Sequence, residues 1–136
     1  MLRIVLDTNV LVAAAYAPGS ASRQIVESVL AGSLQAVLSP ALRREYEHIL
    51  GRALKNTGYE ERLAELIAAA AVVEPTEVPR VVTEDRDDDQ VIAAAVAGAA
   101  AAIVTADRHL LPLDGHAGIC IVTAGAFVAR FLQGNG

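Results

Sequence analysis

Four short runs constrain this chain more than any other feature: residues 2–6 (LRIVL), 34–38 (LQAVL), 102–105 (AIVT) and 119–123 (ICIVT). Each is apolar almost from end to end, without the alternation of polar and apolar residues that marks a strand with one wet face. Strands of this kind are covered on both sides, as in parallel sheets crossed by helices. Between them lie stretches of helical spacing, so strands and helices take turns along the chain. The pattern predicts an α/β fold: a single three-layer domain with a mainly parallel central sheet flanked by helices. In such sheets the functional crevice lies outside the carboxyl ends of the strands.

The helical stretches have readable limits. One covers residues 9–16 and is broken by Pro18-Gly19-Ser20; another runs from Ala21 or Ser22 to Ala31, carries Ile25, Val29 and Leu30 on one side, and stops at Gly32. Ser39-Pro40 is a helix start, serine placed to cap and proline at the first helical position, for a helix reaching about residue 55. Residues 59–70 form a further helix, with a short strand possible at 71–74. Pro75, Pro79 and many acids make 75–87 a connection. A nearly all-apolar helix at 88–99, a helical turn at 107–111 and a last helix at 125–132 complete the reading. No internal repeat or second domain is evident, so residues 1–133 are expected to form one domain and 134–136 a frayed tail.

Composition agrees with one packed domain. A chain of 136 residues has room for one, and 54% hydrophobic content with a mean hydropathy of +0.41 excludes disorder as a general description. Alanine supplies 27 residues and aromatics only 4%, so the core is expected to be small-residue and close-packed. The single cysteine, Cys120, excludes an internal disulfide framework and a multi-cysteine zinc site; within GICIV it reads as a buried, inert thiol. The opening MLRIVLDTNVLVAAAYA mimics a secretion signal, but Asp7 and Asn9 interrupt its apolar stretch. The longest apolar run, residues 91–104, falls short of the about 20 residues that a membrane span requires. The expectation is a soluble, cytoplasmic protein with no membrane segment.

The formal charge is −5, unevenly placed. Residues 74–89 hold seven acids against Arg80 and Arg86, whereas residues 39–55 carry a net +2. Such a chain can bind a cation, and a nucleic-acid partner would rely on the local basic helix to offset general repulsion.

Individual acids say more. Asp7 ends the first strand and Asp107 follows the AIVT strand by two residues, so both fall where the crevice of a parallel sheet is expected. Each also suits a helix cap or Asx-turn, and the sequence leaves both readings open. In the helix starting at Pro40, Leu42, Tyr46, Ile49, Leu50 and Ala53 form an apolar stripe. Glu45 lies on its edge, where its carboxylate either meets an arginine such as Arg52 or belongs to a site; Glu47 points away as solvated surface. Asp87-Asp88-Asp89 open the apolar helix, where the dipole favours acids. Their mutual repulsion would be relieved by a divalent cation, and oxygen-only donors indicate Mg²⁺ or Mn²⁺ rather than zinc. His48, His109 and His116 are scattered and read as surface.

The ordered set IVLDTNVLVAA, SPALRREYEHIL, DRDDDQVIAAAVAGAAAAIVTADRHLL and ICIVTAGAFVARFL resembles the PIN-domain ribonucleases, more closely the toxin components of VapBC-like toxin–antitoxin pairs. With its connecting lengths the resemblance covers nearly the whole chain and implies a PIN-like domain. It places the family's four catalytic, metal-binding acids on Asp7, Glu45, Asp89 and Asp107, with Asp88 an outer ligand. Thr8, Asn9 and Thr105 match positions that orient those carboxylates. Asp89 is chosen over Asp88 because the family acid stands three residues before the isoleucine, here Ile92. Arg86 replaces a proline common in the family's version of this loop.

The resemblance further implies Mg²⁺- or Mn²⁺-dependent hydrolysis of RNA to 5′-phosphate and 3′-hydroxyl ends, a cognate antitoxin as partner, and a homodimer built on helices of the first half. Elementary electrostatics agrees, since four carboxylates cannot approach an anionic phosphodiester without metal. Arg43, Arg44, Arg52 and Arg108 are candidates for RNA backbone contacts, or ordinary solvated cations. Alternatives are a PIN-fold RNA-processing nuclease without an antitoxin, a catalytically silent scaffold, and an aspartate-based phosphohydrolase. The last would want a lysine beside the aspartate, and the single lysine, Lys55, is far from any strand end. No serine sits in a nucleophile elbow, which removes a covalent acyl-enzyme.

Overall fold

The computed structural model describes residues 1–54, 57–75 and 86–132, with only the backbone of 86–88. It contains β1 (Leu2–Leu6), α1 (Thr8–Tyr16), α2 (Ala21–Leu30), β2 (Leu34–Leu38), α3 (Pro40–Arg52), α4 (Glu60–Ala69), β3 (Ala71–Val72), α5 (Arg86–Ala97), β4 (Ala102–Val104), β5 (Cys120–Val122) and α6 (Ala124–Phe127). All strand pairings are parallel, in the order β3-β2-β1-β4-β5. The chain builds outward from β1 in one direction, then returns to place β4 on its other side. The order therefore reverses between β1 and β4, the position at which α/β sheets open a crevice.

Local chemistry sets the boundaries. Asp7, Ser20, Ser39 and Thr123 cap α1, α2, α3 and α6, each accepting a hydrogen bond from an amide of the first turn. Pro40 occupies the start of α3, where its missing N–H costs nothing. The continuous apolar runs are buried as expected: Ile4, Val5, Leu6, Val37, Leu38, Ile103 and Val104 all lie within the core. Helix α5, apolar nearly all round, packs on β1, β2, β4 and α3, burying Val91, Ile92, Ala94 and Ala95. Where it ends, Gly98 comes so close to β2 that a Cβ would stand 2.5 Å from Val37 Cγ1. The Gly98 carbonyl accepts from Arg3 Nη1 at 2.7 Å, tying the end of α5 to β1.

Several boundaries differ from the sequence reading. Helix α3 ends at Arg52, with Ala53 as its C-cap and exposed rather than part of the stripe. Helix α5 begins at Arg86 and ends at Ala97, because Ala99 takes a left-handed conformation (φ 50°) that turns the chain toward β4. The segment expected to be helical at 107–111 is a turn followed by a 3₁₀ turn at Leu111–Leu113. After α6 the helix widens into a π turn over Val128–Leu132, where Phe127 and Phe131 stack at 4.8 Å. Cys120 is half-buried rather than enclosed. It opens the edge strand β5 and lies 3.8 Å from Arg130 Nη1. Lys55, most of the 75–87 connection and residues 134–136 lie outside the described residues. Among the described residues no helix is long and apolar enough to cross a membrane.

Candidate active site at the carboxyl edge of the sheet

Parallel topology alone brings the candidate acids to one edge. Asp7 follows β1, Asp107 follows β4, and α3, which follows β2, carries Glu45 in its second turn. Helix α5 runs back toward the start of β4, so its first turn, with Asp89, lies at this same edge.

Asp7 is buried, 7% exposed, and held by three donors. Its Oδ1 accepts from the Thr8 amide at 2.8 Å; its Oδ2 accepts from Asn9 Nδ2 at 3.0 Å and from the Thr105 hydroxyl at 2.7 Å. The Asp7 amide donates to the Val104 carbonyl at 2.9 Å, extending the β1–β4 ladder to this residue. The Thr105 hydroxyl in turn accepts from the Asp107 amide at 2.9 Å, and Asp107 Oδ1 accepts from the His109 amide at 2.7 Å. Asp7 and Asp107 are thus both caps, as the sequence allowed. Capping does not exhaust a carboxylate, which has about four lone-pair sites.

Glu45 reaches the same cluster from α3: its Oε1 accepts from the Thr8 hydroxyl at 2.7 Å. It is half-buried while Glu47 is exposed, the difference the helix arithmetic predicts. The next residue, Tyr46, is 2% exposed and its hydroxyl donates to the Leu6 carbonyl. Sequence reasoning assigned Tyr46 to the apolar stripe and missed this bond. The available signal was a lone tyrosine among aliphatic positions, since a buried phenol normally finds an acceptor.

Asp89 is buried at 4% in the first turn of α5. Of Asp88 only the backbone is described, in the same turn. Arg43, Arg44, Arg52 and Arg108 are exposed, three along α3 and one beside Asp107. His48 and His109 are exposed and His116 is half-buried. Thr8, Asn9 and Thr105, by contrast, are joined directly to the acids.

Burial pushes the Asp7 carboxyl above its ordinary value, and the charge of Asp107 adds to this; the bonds from Thr105, Thr8 and Asn9 pull the other way without cancelling it. All three donors to Asp7 among the described residues are neutral. A desolvated carboxylate with a second acid nearby and only neutral donors is stabilised by a cation, and its oxygen donors match a hard divalent ion. Burial raises the Tyr46 phenol as well, with Asp7 and Glu45 adding to the effect, so it stays a donor. Among the described residues no three Asp, Glu, His or Cys side chains stand together as a ready-made ion cage. The donor chemistry fits a divalent cation; the described side chains alone do not form a closed set around one.

Comparison with known proteins shows both a family and a fold. The family model for the PIN domain matches residues 3–109, which includes all four candidate acids. The fold is also similar to a chain in the crystal structure of VapBC2 from Rickettsia felis bound to a DNA fragment from their promoter. The TM-score is 0.55 at 15% identity, covering 89% of this chain and 97% of that one. No curated protein sequence matches.

Proposed function

Because the chain belongs to the PIN-domain family, we propose that it is a divalent-metal-dependent endoribonuclease, the toxin of a VapBC-like pair acting in the cytoplasm. One observation carries the reading: Asp7 is buried at the β1/β4 reversal, its donors among the described residues all neutral, with the charge of Asp107 bearing on it and Glu45 one hydroxyl away. Burial disfavours the charge of this group more than its hydrogen bonds favour it, and a bound cation would restore the balance.

Asp7, Glu45, Asp89 and Asp107 would hold Mg²⁺ or Mn²⁺, with Asp88 in an outer role. Bound divalent ions screen the acids from an anionic phosphodiester, lower the pKa of water and stabilise the leaving oxygen. The chain's own residues prepare the site. Thr8, Asn9 and Thr105 fix the orientation of Asp7 and Glu45, so that little reorganisation remains when the substrate arrives. Arg43, Arg44, Arg52 and Arg108 are exposed cations able to meet RNA phosphates on either flank of the acids.

The similarity to a VapBC2 chain supports a protein antitoxin as partner. A homodimer is part of the same proposal, supported by Tyr16, 62% exposed at the end of α1. The deciding experiment incubates purified protein with single-stranded RNA in Mn²⁺, in Mg²⁺ and in chelator. Cleavage with either ion, none in chelator, and products bearing 5′-phosphates are expected. Cleavage that persists in chelator would overturn the reading.

A further inference from the structure

We propose that Tyr46 is a positioning residue which, through its hydroxyl bond to the Leu6 carbonyl, fixes the spacing between Asp7 and Glu45; its effect on ion binding rests on the nuclease reading above. Two adjacent residues of α3 grip the chain on either side of Asp7. Tyr46 takes the carbonyl of residue 6, and Glu45 takes the hydroxyl of residue 8. Asp7 sits between these two attachments.

The backbone explains why the first attachment is available. The Arg3 carbonyl accepts from the Ala101 amide and the Asp7 amide donates to the Val104 carbonyl, so the odd-numbered residues of β1 direct their polar groups toward β4. Leu6, by alternation, directs its carbonyl to the β2 side. Registered pairing with β2 ends there at Ile4↔Ala36, whereas pairing with β4 continues to Leu6↔Val104. The Leu6 carbonyl thus lies beyond the β1–β2 ladder in a dry environment, with Leu6 1% exposed, where an unmet acceptor is costly. The Tyr46 hydroxyl meets it.

The consequence reaches the acids. Glu45 and Tyr46 are consecutive on a rigid helix, so fixing the Tyr46 hydroxyl on β1 also fixes the Glu45 carboxylate relative to Asp7. Without the hydroxyl, the Glu45–Thr8 bond would be the one described side-chain hydrogen bond joining α3 to the end of β1. That bond involves an acid that a cation would also engage. Groups that orient ligands without touching the ion commonly change metal affinity by about 10–100-fold.

Tyr46→Phe keeps the ring and removes the donor. The test compares it with Ile67→Val, a core change in α4, by Mn²⁺ titration calorimetry and by the nuclear Overhauser effect between Thr8 and Glu45 side chains in metal-free protein. The expected result is an Mn²⁺ Kd weakened about tenfold in Tyr46→Phe, with the Thr8–Glu45 effect lost. Ile67→Val should retain both, at a comparable loss of melting temperature. 4-Aminophenylalanine at position 46, which restores a donor, should recover them; 4-methylphenylalanine, which fills the same space without one, should not. That last pair decides the question even if Tyr46→Phe fails to fold. Equal Thr8–Glu45 contacts with and without the donor would overturn the proposal. Failure of the wild-type protein to bind Mn²⁺ would overturn the nuclease reading instead, and the metal-free measurement would still judge Tyr46.

Discussion

Thr105 donates its hydroxyl to Asp7 Oδ2 at 2.7 Å across 98 positions of sequence, and the Thr105 hydroxyl oxygen itself accepts from the Asp107 amide. One fully buried hydroxyl therefore joins the ends of β1 and β4. Replacing it by an isosteric methyl removes one of the two bonds to a buried carboxylate oxygen, which keeps Asn9, and leaves the partly buried Asp107 amide without this acceptor. Thr105→Val is expected to cost about 1–3 kcal/mol in chemical denaturation, whereas Thr105→Ser should cost less than half as much. Equal losses would assign the effect to methyl packing.

The raised carboxyl of Asp7 makes a signed prediction for metal-free protein. A carboxyl whose folded pKa exceeds its unfolded value binds its proton more tightly in the folded state. Its contribution is therefore most favourable below the unfolded value, declines as pH rises through the folded one, and is level above that. Glu27, lowered chiefly by Arg62, acts in the opposite sense, so the difference between wild type and Asp7→Asn isolates Asp7. The advantage of Asp7→Asn in melting temperature should therefore grow from acid to neutral pH. A pH-independent difference would contradict the assignment.

Mn²⁺ should reverse that order. An ion bound only by the folded state stabilises by mass action, by roughly 2.7 kcal/mol at a hundredfold excess over Kd. Millimolar Mn²⁺ should raise the melting temperature of the wild type and leave Asp7→Asn and Asp89→Asn nearly unmoved. A wild-type curve indifferent to Mn²⁺ would count against metal binding.

The end of α5 offers a test of packing independent of the site. At Gly98 a methyl group would stand 2.5 Å from the buried Val37 Cγ1 and 3.1 Å from the Ala94 carbonyl. Gly98→Ala should cost about 1–3 kcal/mol, as measured by urea unfolding. A neutral or stabilising result would mean that α5 and β2 separate more readily than their contact indicates.

The sequence disclosed what depends on neighbours along the chain. Apolar runs located β1, β2, β4 and β5 to within a residue or two, Ser39-Pro40 located the start of α3, and helical geometry separated half-buried Glu45 from exposed Glu47. It could not disclose what depends on strand order. The Thr8–Glu45, Thr105–Asp7 and Tyr46–Leu6 bonds join residues 37, 98 and 40 positions apart, and they exist because β4 and α3 are both assembled against β1. Cys120 illustrates the same limit. Its apolar neighbours suggested burial, but β5 is an edge strand and only Ile121 of its three residues is fully buried. Asp7 was legible both as a cap and as an acid at the crevice, but its bond to Thr105 required the fold.

If Glu45 belongs to a catalytic acid cluster and does not merely contribute to the charge of its helix, its loss should be felt far more than that of Glu47. Glu45 and Glu47 carry the same charge two residues apart on opposite faces of α3, so a single assay separates the two ideas: Mn²⁺-dependent cleavage of single-stranded RNA by the wild type, Glu45→Gln and Glu47→Gln. A loss of ~10²-fold or more is expected for Glu45→Gln and a change within about twofold for Glu47→Gln. Equal activities for the two variants would contradict it and remove Glu45 from the site.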